Sequence, residues 1–307
     1  MALRSLLAAV VAASVAVPMA GAAQASAVPA PAPAAVTPLD ATPTALAARY
    51  AASRVAIAAA SGSATDHGAR ARASSLRAMA DPARRFLFFD GRDGGRSAEV
   101  FGDLSTADRI AVLVPGSDTN LDQYRRLRDG AAALSGELGP RAAVVAWLGY
   151  RTPATISVHA LTADRAAGAA VELRRFVGEL ARARPDARLS VLGHSYGSVV
   201  CALAAPDLPV SDIVLYGSPG TGASTAAALR TRATVWAGRA AADGISGVPH
   251  LRIRLPFATL GFGTDPVSPE FGARVFDAGD GGHSDYLSPG TVSLRNIAAI
   301  VAGGRDA

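Results

Sequence analysis

From Arg84 onward, short apolar runs alternate with stretches long enough to be helices, a rhythm that few folds accommodate. Arg109 to Val114, Ala142 to Leu148, Arg188 to Leu192 and Asp212 to Tyr216 are largely apolar along their whole length, and Ala233 to Ala237 and Ala273 to Phe276 continue the series. A strand that is apolar on both sides must be covered on both sides. Helices expected over Leu121 to Leu138, Asp164 to Arg182, from Tyr196, and over Val292 to Val301 supply that cover. The pattern predicts an α/β fold with a mostly parallel central sheet between two helical layers. Ahead of it, Arg85 to Phe89, the turn residues Asp90 to Gly95, and Ala98 to Phe101 predict an antiparallel hairpin.

The N-terminal part reads differently. Arg4 precedes an apolar stretch from Leu6 to Val17, Pro18 ends it, and Ala23-Gln24-Ala25 and Ala25-Ser26-Ala27 follow. A stretch of about a dozen apolar residues is short for a membrane span and has the length of a signal peptide. The expectation is a removed leader over residues 1–27, export from the cytoplasm, and no stable membrane span afterwards. Val28 to Pro43, rich in Pro and Ala, is expected to be an extended linker. Residues 44–307 are then one domain. It opens with an Ala-rich helical extension, one helix capped by Thr44 and running to about Ala60, a second over Ser63 to Ala80.

Composition narrows the function by exclusion. The formal charge is +5 and every basic residue is Arg, but the arginines are dispersed and form no basic block. Nucleic acid is therefore not an expected partner. The single cysteine, Cys201, can form no intrachain disulfide, and its apolar neighbours mark it as a small core residue. No metal-binding spacing is present, and Gly217 to Gly222 lacks the Lys of a phosphate-binding loop, so no cofactor is expected.

One motif points to chemistry. Gly193-His194-Ser195-Tyr196-Gly197 lies between the strand Arg188 to Leu192 and the helix that follows. A strand turning straight into a helix places Ser195 at a strained apex with its hydroxyl exposed. Gly193 and Gly197 are expected where a Cβ would strike neighbouring backbone. A nucleophilic serine needs a histidine base and an acid to orient it, in the chain order Ser, Asp, His. His194 adjoins the apex and points away from it, and His67 and His159 precede it. His283, in a glycine-rich loop after the last strand, is the expected base, with His250 as competitor. Asp243, one short turn past Thr234 to Ala237, is the expected acid, with Asp265 of Gly263-Thr264-Asp265-Pro266 as competitor. The backbone N–H groups of Tyr196 and Ser117 are expected to form the oxyanion hole, with Gly116 allowing close approach.

These residues carry a resemblance. Ile110 to Ser117, Trp147-Leu148-Gly149-Tyr150, Gly193 to Gly197, Gly263 to Pro266 and His283-Ser284-Asp285-Tyr286 are similar to the α/β-hydrolase superfamily over about Arg84 to Ala302. Within it the chain most resembles an actinobacterial α/β-hydrolase family of unassigned function. The resemblance implies the α/β-hydrolase fold, Ser195 and His283 as catalytic residues, and an acid after the penultimate strand. Members often carry Asp-Pro at that acid, whereas this chain has Asp243-Gly244, so Asp265 stays open. The short connection from Gly217 to Arg232 leaves no room for a large lid, and the apolar segment Leu255 to Phe262 either lines an acyl pocket or covers the core. The expected activity is hydrolysis of small-molecule or lipid carboxylic esters through an acyl-enzyme. Other acyl hydrolysis or transfer on the same triad (peptidase, amidase, mycolyl-type transferase) and a non-catalytic surface protein are the alternatives.

Overall fold

The computed structural model describes residues 28–33, 37–155, 163–247, 253–254 and 259–304. The expected signal peptide lies outside them, as do His159 and His250. β3 (Arg109–Val114) shows why the apolar runs become buried strands. Ile110, Val112 and Val114 project into one core cluster and Ala111 and Leu113 into the other, all at most 1% exposed. Both faces of the strand are thus dry, and only a sheet interior covered by helices on each side satisfies that.

Around β3 the sheet has the order β1-β2-β4-β3-β5-β6-β7-β10. The hairpin of β1 (Phe86–Asp90) and β2 (Arg96–Gly102) is antiparallel, and β2 joins β4 (Ala142–Leu148) antiparallel. β5 (Arg188–His194), β6 (Asp212–Tyr216), β7 (Thr234–Gly238) and β10 (Arg274–Val275) continue in parallel with β3 and β4. One face carries α4 (Asp164–Ala183) and α5 (Tyr196–Ala204), the other α3 (Arg125–Leu138) and α6 (Val292–Val301). This is the α/β-hydrolase arrangement. A two-residue ribbon, β8 (Ile253–Arg254) with β9 (Thr259–Leu260), stands apart from the sheet. Most side chains of the apolar segment Leu255 to Phe262 lie outside the described residues, but Phe262 is buried against the Tyr196 ring in the core.

The N-terminal extension departs from the expected boundaries. α1 runs unbroken over Pro43–Asp66, and α2 over Arg70–Met79. Pro43 fits the first helical position, where its missing N–H is not needed, so the cap falls on Thr42 and not on Thr44. The Ser61-Gly62-Ser63 stretch does not break α1, because Ser61 is buried and its hydroxyl donates to Ala73 O of α2. The described residues of the Pro/Ala-rich segment ahead of Pro43 have no regular structure, yet Val28 and Ala30 pack partly against the core. α1 also meets a need of the sheet. β1 pairs on one side only, and an uncovered edge strand invites pairing with other chains. Leu46 at one end of α1 joins the core cluster of Leu87, and Ile57 and Ala60 nearer the other join that of Phe86 and Phe89.

A buried ion pair fastens the hairpin to this cover. Arg84 grips Glu99 with two bonds of 2.6 and 2.7 Å, donates to Ala78 O of α2, and lies over the rings of Phe86 and Tyr124. Glu99 is 1% exposed. Removing one partner of such a pair leaves a buried charge uncompensated, at a cost of about 3–5 kcal/mol. Arg84→Met should lower stability by about that amount in urea denaturation, and Arg84→Met with Glu99→Leu should recover most of it.

Candidate active site

β5 passes directly into α5, and Ser195 is the residue at the junction, at φ +50 and ψ −124. That conformation is costly for any residue with a Cβ. Three bonds hold it: Ser195 N–H donates to Tyr216 O at 3.0 Å, and Ser195 O accepts from Ser198 N at 2.9 Å and Ser198 Oγ at 2.6 Å. A Cβ on Gly193 would come within 2.7 Å of Gly197 O, and one on Gly197 within 2.6 Å of Pro115 O. Both glycines are therefore there to let α5 start against β5 and against the loop after β3.

Gly116 in that loop comes equally close. A Cβ there would lie 2.8 Å from Ser195 Cβ and 3.3 Å from Ser195 Oγ. The loop is pinned on both sides of it. Tyr150 OH donates to Pro115 O at 2.6 Å, and Asp118, at φ +60, donates its N–H to Pro153 O at 2.9 Å. Ser117 lies between these anchors. Tyr196 opens α5, so its N–H stands at the positive end of the helix. Its ring is buried, with the hydroxyl accepting from Ala166 N. A cavity of about 840 Å³ opens beside this turn, with Gly116, Ser117, His194 and Ser284 in its wall.

Two segments from the carboxyl edge of the sheet meet beside His194, the residue before Ser195. The chain leaving β7 turns through Ala240 to Asp243, whose side chain is fully buried. The chain leaving β10 brings His283, with Nδ1 2.9 Å and 3.0 Å from the two oxygens of Asp243. A carboxylate only accepts, so Nδ1 carries the proton. The neutral ring then presents Nε2 as an acceptor, the tautomer a general base requires. Asp265, the competing acid, instead pairs with Arg239 and accepts from Val267 N at 3.1 Å. His67 lies at the exposed end of α1 with Nδ1 3.0 Å from Ser63 O.

Contacts of Tyr286, Ile245 and His194 that the sequence did not foresee complete the constellation. Tyr286 OH donates to Asp243 Oδ2 at 2.6 Å while accepting from Ala240 N. Ile245 N donates to Asp243 Oδ1 at 2.8 Å. Burial alone would raise the Asp243 carboxyl pKa, but the bonds from Tyr286, Ile245 and His283 together hold it below the usual carboxylate value. His194 is turned away from the serine, as its neighbour position implies, and its Nε2–H donates to His283 O at 2.8 Å. Its ring lies 4.8 Å from that of His283 and 5.1 Å from Tyr216. Burial, reinforced by His283, lowers its pKa to about 4, so it is neutral near pH 7. Gly217 completes the packing, since a Cβ there would come within 3.1 to 3.2 Å of Asp243, Tyr286 and His283. Among the described residues there is no cluster of metal-ligating side chains and no helix long and apolar enough to cross a membrane.

Comparison with known proteins gives the family. The model of a family described as alpha/beta hydrolase matches residues 90–253, more than half of the chain. The chain belongs to the alpha/beta hydrolases. An uncharacterized protein of Mycobacterium tuberculosis, Rv2079, is 32% identical over 251 residues, covering 69% of this chain and 38% of the relative. A second from that organism, Rv0963c, is 35% identical over 173 residues, covering 48% and 64%. The hydrolase thus spans well under two thirds of the first relative's length. Among solved structures, a lidless serine hydrolase from Xanthomonas campestris aligns with a TM-score of 0.46 at 16% identity, covering 72% of this chain and 94% of that one. Esterase LipW from Mycobacterium marinum aligns at 0.44 and 18% identity, covering 89% and 96%.

Two of the unforeseen contacts predict distinct pH behaviour. His194 binds its proton less readily folded than unfolded, so the hydrolase should lose stability as pH falls from about 6.5 to about 4. The loss should be roughly 2–3 kcal/mol and should shrink in His194→Gln, as read by denaturation across that window. Tyr286→Phe should cost about 1–3 kcal/mol at pH 7, where Asp243 is charged. The difference should narrow below the Asp243 pKa, because the charge-assisted bond is then weakened in the parent chain too.

Proposed function

We propose that this alpha/beta hydrolase is an exported serine hydrolase that cleaves carboxylic esters through an acyl-enzyme, with Ser195, His283 and Asp243 as its triad. The observation that carries the reading is the buried Asp243 bonded to His283 Nδ1, in the loop that His194 ties to the strained serine turn. His283 Nε2 takes the Ser195 proton as the hydroxyl attacks the substrate carbonyl, and Asp243 stabilises the resulting imidazolium. The N–H groups of Tyr196 and Ser117 receive the oxyanion, and water activated by His283 then releases the acid. The cavity walled by Gly116 and Ser117 takes part of a small or medium-sized ester, and no metal or organic cofactor enters the scheme. Export follows from the leader-like residues 1–27 and places the enzyme outside the cytoplasm.

A fluorophosphonate probe on the intact chain should label Ser195 and leave Ser195→Ala unlabelled. A folded chain that stays unlabelled overturns the reading. On p-nitrophenyl esters, Asp243→Asn should lower kcat by about 10³- to 10⁴-fold, as expected when the imidazole loses its orienting carboxylate. Asp265→Asn should stay within about tenfold of the parent, since its carboxylate pairs with Arg239. Gly116→Ala should slow labelling sharply by crowding Ser195 Oγ without unfolding the chain.

A further inference from the structure

A second, larger cavity of about 990 Å³ lies away from the serine, between α1 and α4 over the strands of the hairpin edge. It exists because the facing helix surfaces are small. Ala48, Ala52 and Ala56 line it from α1 and Gly168 from α4, and a Cβ on Gly168 would meet nothing within 4 Å. Its floor is aromatic, made by Phe88, Trp147, Tyr150 and Phe176, which pack against one another edge-on or stacked. The α1 wall from Ala45 to Ala56 gives the groove a length of about 16 Å at about 1.5 Å per residue. A long, largely apolar space of this kind suits an extended hydrocarbon chain better than a compact ring system.

The ends of the groove differ. At one end Arg49 is used up, donating to the carbonyls of Thr37 and Pro38. At the other, on the carboxyl edge of the sheet, Arg151 follows β4 and Arg165 opens α4, donating to Thr152 O. Of the lining carboxylates, Asp90 pairs with Arg92 and Arg96, Glu172 and Glu179 pair with Arg175, and Asp40, two residues after Pro38, accepts from Thr42 N. Among the described residues, Arg151 and Arg165 face no carboxylate. An apolar trough ending in two uncompensated guanidiniums matches an amphiphile with an anionic head. We propose that this groove is a binding site for a long-chain fatty acid, separate from the serine, with its carboxylate at Arg151 and Arg165.

The test is a fluorescence titration of the intact chain with cis-parinaric acid, which carries no ester, so the result does not depend on whether Ser195 reacts. Saturable binding of one probe per chain is expected, displaced by palmitic acid and about tenfold less well by hexadecanol. Arg151→Gln with Arg165→Gln should weaken the acid about tenfold and leave the alcohol unchanged. Ala52→Phe and Gly168→Leu should each abolish binding while fluorophosphonate labelling and melting temperature stay at parental values. Absence of saturable binding overturns the proposal, as does binding that persists in both filled variants, which would place the probe in the cavity beside Ser195.

Discussion

Ser195 sits in a backbone conformation that costs about 1–3 kcal/mol for a residue with a side chain, and the centre of the molecule is arranged to keep it there. β6 accepts its N–H, Ser198 binds its carbonyl from within α5, and Gly193 and Gly197 let the helix begin hard against two neighbouring strands. The bond to β6 and the close approach to the loop after β3 are unavailable to an isolated strand-turn-helix segment. The turn exists because β5 lies between β3 and β6 in a sheet closed on both faces.

The same closeness transmits order outward from the turn. His194 holds the backbone of His283, the proposed base. Tyr286, three residues after His283, returns to hold Asp243, which in turn bonds the His283 ring. The histidine loop is therefore fixed at His283 O, at His283 Nδ1 and at Tyr286 OH, three points held by two neighbours, His194 and Asp243. A general base gains from such fixation because reorientation during proton transfer is a barrier the reaction would otherwise meet.

The helical extension takes on a role beyond cover. α1 protects the edge of β1, yet its alanine face stands off α4 and leaves a groove over the aromatic floor. Tyr150 is common to both regions. It closes that groove on one side and, through Pro115 O, holds the loop of Gly116 against Ser195. The Tyr150 ring in turn stacks on that of Tyr196, at the start of α5, with centroids 6.5 Å apart.

The layered fold was legible in the sequence because a parallel sheet demands strands apolar on both faces, and Ile110 to Val114 or Val144 to Leu148 can satisfy nothing else. Ser195 was legible because the tight passage from β5 into α5 leaves room only for glycine two residues before and two after it, a requirement that shows as residue type at fixed spacing. His283 and Asp243 were foreseeable only as positions after particular strands. Choosing Asp243 over Asp265 needed the three-dimensional path that bonds one to His283 and the other to Arg239. Tyr286, the tether from His194, the merged helix α1 and the second cavity left no such local mark. They arise where segments tens to hundreds of residues apart pack together, and distance in space, unlike residue type and spacing, is decided only by the tertiary structure.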